Sequence, residues 1–252
     1  MIVKKIEIKN NVALIYLSDN TSFSILADTY LTNTILLNKE LTKAEIEELL
    51  KQDNLIKSKK ILLEKLSRKK LSKIECKKIL LDYGVDGLGI DKIVEELEHQ
   101  CLINDIELGQ DIINYCLVNK KGRNVIKEKL NDRGIFLDSE NFIESYIDEE
   151  KYVANIEYLI NKYKKLAKDK SKAFMKQYLR EKMQINGYNI EEFNAHVDVN
   201  DVEEYPLVVK EIEKFFKNRE KNKENIAKIT KKLLSKGFNY DIIKKALGSV
   251  NI

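Results

Sequence analysis

Apolar positions in this chain recur at helical spacing and break at glycine. Gly84, Gly134, Gly187 and Gly237 stand 50, 53 and 50 residues apart. Four residues before each lies Leu80, Leu130, Met183 or Leu233, and eight before lies Cys76, Ile126, Leu179 or Ile229. A spacing of four is about one helical turn, so each pair marks the apolar stripe of a helix. Glycine at the position after a helix takes the left-handed conformation cheaply. The next residue (Val85, Ile135, Tyr188 or Phe238) is apolar or aromatic and can fold back on the last turn.

Around each such helix the pattern predicts two more. A preceding helix shows in Ile156, Leu159, Ile160, Tyr163 and Leu166, and again in Leu207, Val208, Ile212, Phe215 and Phe216. A shorter following helix shows in Ile90, Ile93, Val94 and Leu97 and in Ile242, Ile243, Ala246 and Leu247, while the pattern thins at Ile190–Val197. Ser72-x-x-Glu75 is a capping box at the start of the first central helix. Four three-helix units follow, at 51–100, 101–147, 148–199 and 200–252. Residues 1–50 read differently. Ile6 and Ile8 alternate with charged residues, Asn10-Asn11 and Ser18-Asp19-Asn20 are turn signals, and Val12–Leu17 and Thr21–Leu26 are strands. Three strands alone are marginal, so this meander must pack on something; a helical patch near Asp28–Leu31 is one candidate. Thr42-x-x-Glu45 is a second capping box, opening the helix that leads into the repeats. The expected fold is mainly α: tandem three-helix repeats in an elongated, curved array behind a small N-terminal antiparallel β meander.

Charge follows the same period. Lys57–Lys78 holds ten basic and two acidic residues, Lys120–Arg133 six and two, Lys162–Lys182 nine and two, and Lys214–Lys236 nine and two. Between them, Asp138–Glu150 and Asn189–Glu204 each carry six acids and no base. Basic residues on successive units can follow a polyanion by neutralising phosphates. Tyr163 and Tyr178 lie within a basic stretch and, at helical spacing, read as core rather than as platforms for bases. With one Pro and nine Gly in 252 residues, a turn-rich β sandwich or barrel is excluded. No apolar run reaches the roughly 18 residues of a membrane span, and MIVKKIEIKN lacks the apolar stretch of a signal peptide. A cytoplasmic protein with no membrane partner is expected.

Candidate chemistry is sparse. Cys76, Cys101 and Cys116, with His99 and His196, have neither disulfide nor zinc spacing. There is no phosphate loop, GxGxxG, GxSxG, HExxH or CxxC. Gly84-Val-Asp-Gly87-Leu-Gly89 follows a helix, so it is a connection and not a phosphate cradle. Glu95-Glu96 and Glu191-Glu192 are helix neighbours that do not face each other. The expectation is no enzyme, with no catalytic residues, cofactor or metal.

Several segments together resemble a known family. They are Leu66-Ser67-Arg68, Ser72-x-x-Glu75, Leu80-x-x-Tyr83-Gly84, Leu102-Ile103-Asn104-Asp105, and Gly122-Arg123-x-x-Ile126-x-x-x-Leu130-x-x-Arg133-Gly134-Ile135. In this order and spacing they resemble the RecX family of regulatory proteins. A weaker echo runs through Ile229-x-x-x-Leu233-x-x-Lys236-Gly237-Phe238. The chain departs from the family at Leu108-Gly109, where an aromatic-Ala pair is common, and at Arg68-Lys69-Lys70, which replaces an Arg-rich tract. Lysine lacks the planar fork of arginine, so these departures bear on how tightly such positions bind. The resemblance implies a modulator of RecA that binds the recombinase and its nucleoprotein filament along the groove, binds DNA, and inhibits strand exchange, ATP hydrolysis and co-protease activity sterically. That role belongs to recombination, DNA repair and the SOS response. Basic character and resemblance together nominate Lys65, Arg68, Lys69, Lys70, Lys73, Arg123, Lys127 and Arg133 for the partner or DNA surface; basic character alone adds Arg180. A monomer is expected, since no coiled-coil or dimer stripe is present. Two other classes remain open: a sequence-nonspecific DNA-binding helical-repeat protein without a recombinase partner, and a scaffold for another protein.

Overall fold

The computed structural model describes residues 1–135, 139–200 and 202–249. Strands β1 (Val3–Lys9), β2 (Val12–Leu17) and β3 (Ser22–Leu26) form an antiparallel sheet in that order. Lys9 pairs with Val12 across Asn10 and Asn11, whose φ angles of 50° and 65° suit a two-residue hairpin turn. The register of β1 shifts between Val3 and Lys5. Such a bulge changes which residues face inward, so Val3 is buried and Ile6 packs on the same core, while Ile8 is exposed. Helix α1 (Ala27–Asn33) and the start of α2 (Lys43–Leu66) complete this core, where Val3, Ala13, Ile15 and Ile25 meet Leu41 and Leu49.

Helix α2 runs without a break through position 50, so its first half covers the sheet and its second half joins the first helical core through Leu62. Buried Asp53 accepts from the Leu26 amide and the Thr29 hydroxyl, each at 2.7 Å, and Lys57 balances its charge at 2.6 Å. The sheet is thus tied to the helices by a polar clasp as well as by apolar packing.

After α2 come α3 (Lys73–Asp82), α4 (Gly87–His99), α5 (Asp105–Val118), α6 (Arg123–Asp132), α7 (Ser139–Tyr146), α8 (Glu149–Leu166), α9 (Lys172–Ile185), α10 (Ile190–His196), α11 (Glu204–Phe216), α12 (Lys223–Ser235) and α13 (Tyr240–Ser249). None of them is long and apolar enough to cross a membrane, among the described residues. The chain is mainly helical with a small N-terminal sheet, as the sequence pattern requires. Both expected capping boxes form, Thr42 with Glu45 and Ser72 with Glu75, and Asn189 with Glu192 adds a third at the head of α10. All eight stripe residues, from Cys76 and Leu80 to Ile229 and Leu233, are buried, as are Val85, Ile135, Tyr188 and Phe238. Behind α3, the Gly84 amide bonds to the Leu81 carbonyl and the Val85 amide to that of Leu80, which completes the Schellman ending. Cys101 and Lys120 make the same kind of stop after α4 and α5, at φ 56° each and without glycine. No glycine pattern announces these two.

The chain gathers into two compact units. One holds Met1–Gly109 and the short stretch beginning at Asn131; the other holds Gln110–Leu130 and the remainder. Within each unit a recurring joint is visible. The glycine turn behind one central helix sits on the first turn of the central helix before it. Gly134 lies against Ile74 of α3, Gly187 against Gly122 and Val125 at α6, and Gly237 against Ser171 and Ala173 at α9. At the middle joint, the amides of Gly122 and Asn124 donate to the Asn186 and Gly187 carbonyls at 2.7 and 3.0 Å. A Cβ on Gly122 would collide with the Gly187 backbone, and Gly187 itself has φ 90°, so both sites exclude a side chain. Acids close further helix-start amides: Asp105 accepts from Lys73 N–H at 2.9 Å and Glu204 from Lys172 N–H at 2.7 Å. These bonds satisfy amides that a helix start leaves without partners.

Candidate basic interface

In the first unit the chain turns sharply between α2 and α3. The Ser67 amide bonds to Leu63 and the Arg68 and Lys69 amides to Lys65, which keeps Lys65, Arg68 and Lys69 on one rim. These three, with Lys78 of α3, line an open groove floored by Ile74, which is 44% exposed. All four cations are solvent-exposed and hold no salt bridge among the described residues. The groove also carries Asp82 and Asp132, so its field is positive but not uniform.

Arg133 reaches the same groove, yet its guanidinium is engaged. Its Nε and Nη2 donate to the two Glu75 oxygens at 2.9 Å each, and Nη2 also donates to the Lys70 carbonyl at 2.9 Å. A bidentate arginine–carboxylate pair is among the stronger charge-assisted contacts. Burial pushes the Glu75 carboxyl upward, but hydrogen bonds from Arg133 and the Ser72 amide overcome this and hold it below the usual carboxylate range. Glu75 therefore serves both the cap of α3 and the placement of Arg133. Lys70 and Lys73 are paired beside the groove, with Glu107 at 2.5 Å and Glu98 at 2.7 Å. The hydrogen bond to Glu98 pushes the Lys73 ammonium above its ordinary value, against the effect of burial.

The second unit holds the other three nominated residues. Arg123, at the head of α6, sits inside a cage of acids. Its nitrogens donate to Glu144 at 2.7 and 3.1 Å, Glu149 at 2.8 Å and Glu192 at 2.9 Å, and its plane lies 4.2 Å from the centre of the Tyr152 ring. The Tyr152 hydroxyl donates to Glu192 at 2.7 Å. The Arg123 side chain is only 23% exposed, and the hydrogen bond to Glu144 pushes its already high pKa further up. This is an internal clamp rather than an open contact. Lys127 pairs loosely with Glu140 at 3.1 Å and is partly exposed. Arg180, on α9, is exposed beside Lys176 in a shallow depression that reaches Phe193, and holds no salt bridge among the described residues.

Lys65, Arg68 and Lys69 thus come together, with Arg133 beside them but occupied. Lys78 is the member that sequence reading missed; its signal is its position one turn beyond Ile74 on the exposed edge of α3. Tyr163 and Tyr178 correct the sequence reading, since neither is buried: both are partly exposed, with their rings 6.1 Å apart at 90°. The fold needs no further apolar groups there, because the inward face of α9 is already filled by Met175, Leu179 and Met183. No group of three His, Cys, Asp or Glu among the described residues could hold a metal.

No protein-family model matches the chain. The regulatory protein RecX of Streptococcus mutans is 28% identical to it, across 69% of this chain and 70% of that protein. Among solved structures, a crystal structure of regulatory protein RecX superposes with a TM-score of 0.63 at 17% identity, covering 78% of this chain and 98% of that one. RecX from Lactobacillus salivarius superposes with a TM-score of 0.54 at 20% identity, covering 57% of this chain and 94% of the other. The sequence relative and the two solved structures carry one family name, and this chain is similar to the first in sequence and to the other two in fold.

Proposed function

We propose that this protein regulates the RecA recombinase by binding RecA and its DNA filament, with the α2–α3 groove as the principal contact. The likeness to RecX regulatory proteins supports the class of function. The observation that carries the site is the cluster Lys65, Arg68, Lys69 and Lys78, four exposed cations on one groove with no salt bridge among the described residues. Lys70 and Lys73 lie beside this groove and Arg133 fixes its edge; in the second unit, Lys127 and Arg180 are further basic candidates and Arg123 holds the head of α6. Inhibition of strand exchange, ATP hydrolysis and co-protease activity is then steric: the bound chain blocks access of a second DNA or stops filament growth at an end. Such a mechanism asks for no bond-making residue in this protein.

The experiment is a titration of DNA-dependent ATP hydrolysis by RecA from the same organism. Inhibition well below an equimolar ratio to RecA supports capping of filament ends. Absence of any effect at saturating protein overturns the proposal. A second reading, nonspecific DNA binding without a recombinase partner, draws on the same unpaired cations. It requires inhibition only near saturation of the DNA, relieved by excess competitor DNA, because phosphate binding is a mass-action competition that weakens steeply with salt.

A further inference from the structure

The second unit carries a partly exposed aromatic surface on α9. On α9, Phe174, Tyr178 and Lys182 stand four residues apart and form a stripe beside the buried face. Phe174 is 42% exposed. Its ring lies nearly parallel to that of Tyr178, at 14° with centres 6.0 Å apart, and Tyr163 of α8 meets Tyr178 edge-on. Each ring has its own ammonium: Lys170 is 5.5 Å from the Phe174 centre, Lys182 5.4 Å from Tyr178, and Lys162 5.7 Å from Tyr163.

The repeat itself shows that this is not helix-packing grammar. Phe174 and Tyr178 stand 13 and 9 residues before Gly187. At the same distances before the other three glycines stand Leu71 and Glu75, Lys121 and Val125, and Glu224 and Lys228. Four helices share one buried stripe, but α9 alone has aromatic residues at these two positions. The shared stripe does not call for aromatic residues at these two positions, although Phe174 also borders a crevice with Ser171, Glu211 and Phe238.

We infer that the Phe174–Tyr178 face of α9, flanked by Lys162, Lys170 and Lys182, binds single-stranded nucleic acid by stacking unpaired bases on its rings. Exposed aromatics among cations that follow a backbone are how single strands are held without sequence preference. A duplex keeps its bases stacked within itself and offers this face only phosphate, so the surface discriminates for single strands. The groove of the first unit lacks aromatic side chains among its lining residues and has no such basis for choice. This assignment rests on the reading that the protein meets DNA, and names the form of DNA and the place.

The chain has no tryptophan, so Phe174→Trp puts a single indole at the site. The probe is a fluorescein-labelled deoxythymidine oligomer of about 25 nucleotides, longer than the roughly 4–16 nucleotides that a single-strand module covers. No recombinase is present. Unlabelled oligomer is expected to quench the indole of Phe174→Trp with the midpoint measured by anisotropy. Phe174→Ala and the bulkier Phe174→Leu are expected to weaken oligomer binding at least about fivefold, while duplex affinity and the slope of affinity against salt stay unchanged. Phe174→Leu keeps apolar volume and separates lost stacking from lost packing, with thermal melts confirming the fold of both. Wild-type affinity in both folded variants, equal losses for duplex and single strand, or an unquenched indole would overturn the assignment and leave the RecA reading intact. A wild-type chain that binds neither DNA removes the DNA contact altogether, whereas inhibition of RecA is scored separately by ATP hydrolysis.

Discussion

The α2–α3 groove and the Arg123 cage are both basic in sequence, yet they do opposite things with their charge. At the groove, Lys65, Arg68, Lys69 and Lys78 face solvent with no salt bridge among the described residues. At the head of α6, one arginine is enclosed by Glu144, Glu149, Glu192 and the Tyr152 ring. The difference lies in which acids the fold brings near. Glu192 is distant in sequence and joins Arg123 because the turn behind α9 docks on the start of α6. Only an uncaged cation can release counterions from an incoming polyanion; a caged one holds its own helix start.

The largest test of this contrast removes the cage. Arg123→Ala should destabilise the folded chain by about 2–4 kcal/mol, because the largely buried Glu192 loses its ion partner and Tyr152 the guanidinium against its ring. Thermal melting measures it, and a loss below about half a kcal/mol, the size of an ordinary surface change, would show that the cage is dispensable. Reversing the groove comes next. Replacing Arg68, Lys69 and Lys70 together by Glu should raise the concentration for half-inhibition of RecA by about tenfold, equivalent to roughly 1.4 kcal/mol, with little change in melting temperature. Unaltered inhibition by the folded triple variant would remove this tract from the contact surface.

The smallest test uses pH. Glu75 has its carboxyl held below the ordinary range by Arg133 and the Ser72 amide, against burial. A carboxylate with a lowered folded-state pKa contributes stability above its unfolded value of about 4.3 and loses it as pH falls through the folded value. Arg133→Met should therefore cost about 1 kcal/mol at neutral pH, with the gap from wild type closing below about pH 4. Melts across that range check the sign; a gap that widened in acid would contradict the pairing.

Helix grammar was legible in the sequence because its causes are local. Capping boxes at Thr42 and Ser72, apolar pairs four apart and left-handed glycine stops each depend on residues within one or two turns. The stops at Cys101 and Lys120 were not legible, since nothing local distinguishes them from helix interior. Around position 50 the composition changes while the helix opened at Thr42 continues. In the fold, α2 continues through it, because one long helix can cover a sheet with one half and a helical core with the other. At the candidate site, Lys65, Arg68 and Lys69 were legible as a short-range cluster, and Lys78 was within reach one turn along α3.

The sequence by itself determined the helices, their stripes and stops, the N-terminal meander and the period of the charge, all of which follow from neighbours along the chain. Tertiary structure alone decided which cations are open and which are caged, why Gly122 and Gly187 exclude a side chain, and that Tyr163 and Tyr178 stand partly outside the core. Each of these depends on which distant residues meet, and electrostatics and steric exclusion act through space at a few ångströms, without regard to separation along the chain.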